Sequence, residues 1–176
     1  MKKNILIFGL IAGMIASSML IAMTITCYNT NKFEGNMLLG YTFMLIAFSF
    51  VFVGVKNYRD KFNGGLISLG KAFKIGAIIA FIAATTYVLV WLICYYLFIP
   101  DFMEKFTAHF LGELKANGAD AAKIKKEAEG MEFYTQMYKS PFGVILLTYM
   151  EILPVGLVIS FIAALILKRR EKLETV

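Results

Sequence analysis

The chain predicts an all-α integral membrane protein: a four-helix bundle with an extracytoplasmic amphipathic helical segment between the third and fourth spans. Composition and spacing carry that reading before any motif does. Of 176 residues, 59% are hydrophobic and 17% charged, with a mean hydropathy of +0.70; one soluble core of this size cannot hide so much apolar surface. The apolar residues also gather into four runs, each close to the ~20 residues that cross a hydrocarbon layer of ~30 Å. These place spans at about 5–26, 37–55, 75–99 and 142–167 and the extracytoplasmic segment at 100–141, with residues 1–176 forming a single membrane domain.

The first span follows Lys2 and Lys3. Its apolar run exceeds the ~7–15 residues of a signal-peptide core and no small-x-small cleavage site follows, so it reads as a retained helix. Gly9, Gly13 and Ser17 recur every four residues and leave one face smooth enough for a second helix to approach. The polar stretch Tyr28 to Asn36, with Lys32, Glu34 and Gly35, turns the chain back into the second span. Residues 56–74 then carry Lys56, Arg59, Lys61, Lys71 and Lys74 against Asp60 alone, which puts this short loop on the cytoplasmic side. Within it Asn63-Gly64-Gly65 breaks the backbone, and the alternation of Leu66, Ile67, Leu69 and Phe73 with Ser68, Lys71 and Lys74 predicts an interfacial helix. The third span opens with Gly76, Ala80 and Ala84 at four-residue spacing and closes with Trp91, Tyr95 and Tyr96, rings suited to the outer headgroup belt.

Pro100 stops that helix. Phe102, Phe106 and Phe110 at i, i+4 and i+8 then predict an amphipathic helix ended by Asn117-Gly118, and Asp120 caps another running from Ala121 towards Tyr138. Such helices rest on the outer leaflet, cap the bundle or present a surface to a partner. Pro141 opens the fourth span from the first-turn position that proline favours. The basic Lys168-Arg169-Arg170-Glu171-Lys172 closes it, so both termini are expected in the cytoplasm and the protein in the cell inner membrane. Gly156, Ser160 and Ala164 form another small-residue face, which suits either a second copy or packing within the chain.

Several of these stretches look alike to a known family. Gly54-Val55-Lys56-Asn57-Tyr58-Arg59-Asp60 through Gly64-Gly65, Gly70-Lys71-Ala72-Phe73-Lys74-Ile75-Gly76, and Glu151-Ile152-Leu153-Pro154-Val155-Gly156 resemble the small bacterial inner-membrane proteins grouped as domain of unknown function 4199. The resemblance covers nearly the whole chain and implies a multi-span helical membrane protein. It supplies no activity, ligand or catalytic residue.

Function therefore rests on the residues. The net charge of +6 lies beside apolar spans and not on an aromatic-interleaved surface, so the basic residues serve topology and lipid, and no nucleic-acid role is expected. No H-E-x-x-H, G-x-S-x-G or P-loop order occurs, so no enzyme activity, catalytic residue or cofactor is expected. Cys27 and Cys94 have neither zinc nor redox spacing, and whether they pair stays open. His109, the single histidine, has no companion at ligand spacing, so no metal site is expected. One residue stands out. Glu151 lies about ten residues into the fourth span and three before Pro154, where an ionised carboxylate is costly. Two readings follow. In the first, Glu151 is a neutral hydrogen-bonding acid, with Thr85, Thr86, Ser17 or Ser49 at similar depth, or a backbone carbonyl freed by Pro154, as partner, in a structural, accessory or interaction component. In the second, it is the proton site of a small proton- or ion-coupled transporter. The expected partners are the lipid bilayer and either a homo-oligomer or a membrane protein engaged through residues 100–141.

Overall fold

The computed structural model describes residues 2–30 and 37–169. The turn at Lys32 and Glu34 and the tail Arg170-Glu171-Lys172 lie outside the described residues, as do the side chains of Met37 and Leu39. Among the described residues there are six helices: α1 Lys2–Thr30, α2 Met37–Phe62, α3 Leu69–Leu97, α4 Phe102–Ala116, α5 Ala121–Tyr138 and α6 Pro141–Leu167. Four of them, α1, α2, α3 and α6, are long and apolar enough to cross a membrane. The fold is an all-α membrane bundle, as the composition requires.

The long helices overrun the apolar runs that announced them. α3 is 29 residues long, or about 43 Å at 1.5 Å per residue, well beyond the hydrocarbon thickness. One expectation is corrected here. Leu69, Lys71, Phe73 and Lys74 do not form a separate interfacial helix; they are the first turns of α3, which Ser68 caps by accepting from Lys71 N. Ile67 and Arg169 exchange two backbone hydrogen bonds of 2.9 Å and tie this loop to the end of α6. A helix entering lipid satisfies its own backbone, so nothing obliges it to break at the headgroups.

α1 packs against α2 and α3, and α6 packs against the same two, so α1 and α6 stand on opposite sides of the bundle. Small residues set the closeness. A Cβ on Gly9 would lie 2.6 Å from Ile82 Cβ, and one on Gly13 would lie 2.9 Å from the Ala83 carbonyl. Gly156, Ser160 and Ala164 are buried inside the chain: a Cβ on Gly156 would meet Phe48 and Ala80, and Gly76 faces Ser160. That settles the choice left open above in favour of internal packing. Val51, Val55, Tyr58, Ala72, Ile75, Ile79 and Ile152 fill the resulting core. It is dense because lipid supplies no hydrophobic drive between helices, leaving close van der Waals contact to hold them.

Residues 63–69, the start of α1 and the end of α6 meet at one end of the bundle, hereafter the basic end: the Asn4 side chain donates to the Gly54 carbonyl at 3.4 Å, and Arg59 donates to the Leu167 carbonyl at 3.4 Å. The opposite end is capped by α4 and α5. Their local chemistry follows the sequence closely. Gly118 takes φ of 75° after α4, Asp120 accepts from Lys123 N at 2.6 Å to start α5, and Ser140 accepts from Gly143 N at 3.0 Å to start α6.

Candidate functional site: an aromatic cleft at Glu151

Glu151 lies ten residues along α6 from Pro141, and Tyr87 lies ten residues back along α3 from Leu97. Both are therefore about 15 Å below the capped end. Ile152 and Thr148 turn into the helix contacts, whereas the Glu151 side chain is exposed into a cleft. Two cavities of about 280 and 370 Å³ make up that cleft, and they share Leu20, Tyr87, Trp91, Phe102, Phe106 and Glu151. The first extends between α1 and α2 to Met19, Met23 and Met44; the second runs under α5 to Met131, Tyr134 and Tyr138. The site is thus walled by four spans and roofed by α4 and α5.

Aromatic contacts shape the roof. Phe102 stands edge-on to Trp91 with centroids 5.2 Å apart, and Phe102 stacks on Phe106 at 5.8 Å. Trp91 Nε1 donates to the Tyr138 hydroxyl at 3.3 Å. Burial pushes the Tyr138 phenol up; the Trp91 donor pulls the other way, and the nearby Glu151 charge adds to the rise. Tyr138 and Glu151 line the same cavity.

A polar latch holds α4 in place. The Tyr28 hydroxyl donates to Asp101 Oδ1 at 2.7 Å, Lys105 Nζ reaches Asp101 Oδ2 at 2.7 Å, and Lys105 also lies 4.5 Å over the Tyr28 ring. The hydrogen bonds from Lys105 and Tyr28 hold the Asp101 carboxyl below the usual aspartate range. The end of α1 is thereby pinned to the start of α4, next to Phe102 and Phe106.

The sequence model of the family described as "Protein of unknown function (DUF4199)" matches residues 7–169. The chain belongs to this family. No curated protein and no solved structure matches it. The DUF4199 match takes in every residue of the cleft, its roof and its latch, so the site sits within the family's own fold and not on an appended segment.

In this DUF4199 chain the residues expected beside Glu151 are engaged elsewhere. The Thr85 hydroxyl donates to the Phe81 carbonyl at 2.8 Å and lies 2.7 Å from the Tyr149 hydroxyl. The Thr86 hydroxyl donates to the Ile82 carbonyl at 3.0 Å, and its side chain packs on Gly13. Ser49 bonds the Ile46 carbonyl at 2.6 Å, and Ser17 is buried with no hydrogen-bond partner among the described residues. No hydrogen bond or ion pair among the described residues reaches the Glu151 carboxyl. Its actual neighbours across the cleft, Tyr87, Trp91 and Tyr138, escaped the sequence reading. Trp91 and Tyr95, which their sequence position assigns to the headgroup belt, are 5% and 8% exposed and turn inward beneath the cap, while Tyr96 faces out. The signal that could have found them is the i, i+4 pair Tyr87 and Trp91 matched to the i, i+4 pair Phe102 and Phe106. Cys27 lines the first cavity and Cys94 a separate groove, and both are free thiols. His109 lies on α4 with Nε2 3.5 Å from Glu113.

Proposed function

We propose that this chain is a non-catalytic membrane protein that binds a small ligand at Glu151, a small proton- or ion-coupled transporter set in the cell inner membrane with both termini cytoplasmic. The observation that carries the proposal is the Glu151 carboxyl, without a protein partner among the described residues and open to a cleft about 15 Å deep. A purely structural acid would be tied to a neighbouring hydroxyl or carbonyl, because an unsatisfied polar group in hydrocarbon destabilises the fold that contains it. An acid kept open is suited instead to exchanging a proton or a cation with whatever enters. Pro154 supports movement near it, since a proline has no N–H for the Met150 carbonyl and loosens the helix one turn beyond the acid. The positive-inside rule supports the orientation, with Lys56, Arg59, Lys61, Lys71, Lys168 and Arg169 at the basic end and the cleft in the opposite half. His109 does not line the cleft, which favours binding over catalysis.

The test is the protonated-carboxyl infrared band of Glu151 in lipid, assigned by difference against Glu151→Gln and followed across pH. A band that titrates reversibly with bulk pH is expected; one that stays constant to high pH would mean a dry, sealed acid and would remove the proton-coupled reading.

A second reading, an accessory component engaging a second copy or a membrane protein through residues 100–141, is favoured by α5, none of whose side chains is fully buried and whose Phe133 is 59% exposed. Phe133→Glu separates the two. It should abolish a partner contact and leave the Glu151 titration unchanged.

A further inference from the structure

We infer that the Glu151 cleft takes a lipophilic organic cation, an amine or onium group carried on an apolar body. The inference rests on the ligand-binding reading above and names the chemistry of its ligand.

Charge comes first. Neither cavity is lined by a lysine or arginine, so among the described residues no protein cation balances Glu151. Lys105, on the roof helix α4, is held by Asp101 and the Tyr28 ring. A carboxylate this deep in low dielectric is strongly stabilised by a ligand that brings a positive charge, while an anion would be repelled and a neutral amphiphile would leave the charge unpaired. The walls supply the second element. Tyr87, Trp91, Phe102 and Phe106 border both cavities, and the faces of such rings attract a desolvated cation through their quadrupoles. Met19, Met23, Met44 and Met131 provide flexible apolar surface for the body of the ligand. Volumes of about 280 and 370 Å³ are of the size that encloses a small organic molecule.

Proton competition follows. The titratable groups facing Glu151 are Tyr87 from α3, Tyr134 and Tyr138 from α5 and Cys27 from α1, none of which carries positive charge. Protonating Glu151 removes the attraction for the cation, so cation affinity falls as pH falls, and by linkage a bound cation releases the proton.

Trp91 is the single tryptophan of the chain and borders both cavities, so its fluorescence reports on the site directly. The detergent-solubilised full chain is titrated with tetraphenylphosphonium and, separately, with tetraphenylborate, an anion of nearly the same shape. The expected result is saturable quenching by the phosphonium alone, weakening at low pH and reduced about tenfold or more in Glu151→Gln. Phe106→Ala, which keeps the acid, should weaken binding by about threefold to tenfold, the scale of one cation–ring contact. Glu151→Asp, which keeps the charge, guards against a loss caused by misfolding and should retain most of the binding. Equal quenching by the borate, or phosphonium binding undiminished in Glu151→Gln, would overturn the cation assignment while leaving an open ligand cleft in place. Absence of saturable quenching by either probe would also overturn it, and the infrared titration of Glu151 then decides the broader reading independently.

Discussion

A methyl group added at Gly156 would lie 2.8 Å from the Phe48 ring and 2.9 Å from Ala80, whereas one added at Gly40 meets nothing within 4 Å. The two glycines belong to halves of one bundle that solve different problems. Towards the basic end, glycine, alanine and serine draw the helices together until Val51, Val55 and Ile79 are almost fully enclosed. Towards the cap, bulky Trp91, Phe102, Phe106 and Tyr138 hold the helices apart and leave a cleft with an acid in its wall. The comparison teaches that small side chains close a membrane bundle and large rings prop it open, so a ligand site can be made by changing side-chain size along the same four helices. The sealed half anchors the geometry that the open half uses.

The sharpest way to break the comparison is to place one substitution in each half. Gly156→Leu should destabilise the chain by about 1–3 kcal/mol, because the overpacked side chain must displace Phe48 and Ala80. Gly40→Leu should cost nothing in the same reversible unfolding measurement in bicelles, and it should partly fill the first cavity and weaken probe binding at Trp91. Equal losses at both sites would mean that the capped half is as tightly packed as the basic half.

Glu151→Leu comes next in size. Replacing an unpartnered carboxyl with an apolar side chain should leave thermal stability unchanged or raise it by on the order of 1 kcal/mol, at the expense of binding. A loss of stability of that size or more in the thermal melt would indicate that Glu151 holds the fold together.

Two smaller effects probe the roof. Tyr28→Phe removes the 2.7 Å hydrogen bond to Asp101 and should cost about 0.5–1 kcal/mol, read as faster amide exchange over the first turns of α4. If protection of α4 is unaltered, the latch does not hold the roof. The smallest effect is the pH dependence of that latch. The folded Asp101 carboxyl lies below its ordinary value, so its contribution is fully present above the unfolded aspartate value of about 3.9 and is lost as pH falls through the lower folded value. Exchange over α4 should therefore quicken in acid in the parent chain and much less in Asp101→Asn.

Much of the fold was legible because its signals are local. Asp120 begins α5, Gly118 follows the end of α4 and Pro141 opens α6, as their chemistry within one turn requires. The stripe of Gly9 and Gly13 also announced a close helix contact, which α3 supplies. Of the candidate site, the sequence marked the acid and misjudged its surroundings. Thr85 and Thr86 share its approximate depth, but depth leaves rotation undetermined, and α3 is turned so that Thr86 meets Gly13 while Tyr87 borders the cleft.

Composition and local chemistry by themselves determined that this chain forms four membrane-crossing helices with two amphipathic ones between the third and fourth, because hydropathy, capping and proline act within a turn or along a single span. Only the tertiary structure decided which neighbour each small-residue face meets and how the remaining side chains of each span are turned. A helix that is apolar all round carries no stripe to orient it, and in lipid both its faces are tolerated by the solvent. The inward turn of Trp91 and Tyr95, the internal burial of Gly156 and Ser160, and the opening of Glu151 onto aromatic rings follow from how neighbouring side chains fit. That fit depends on residues far apart in the chain.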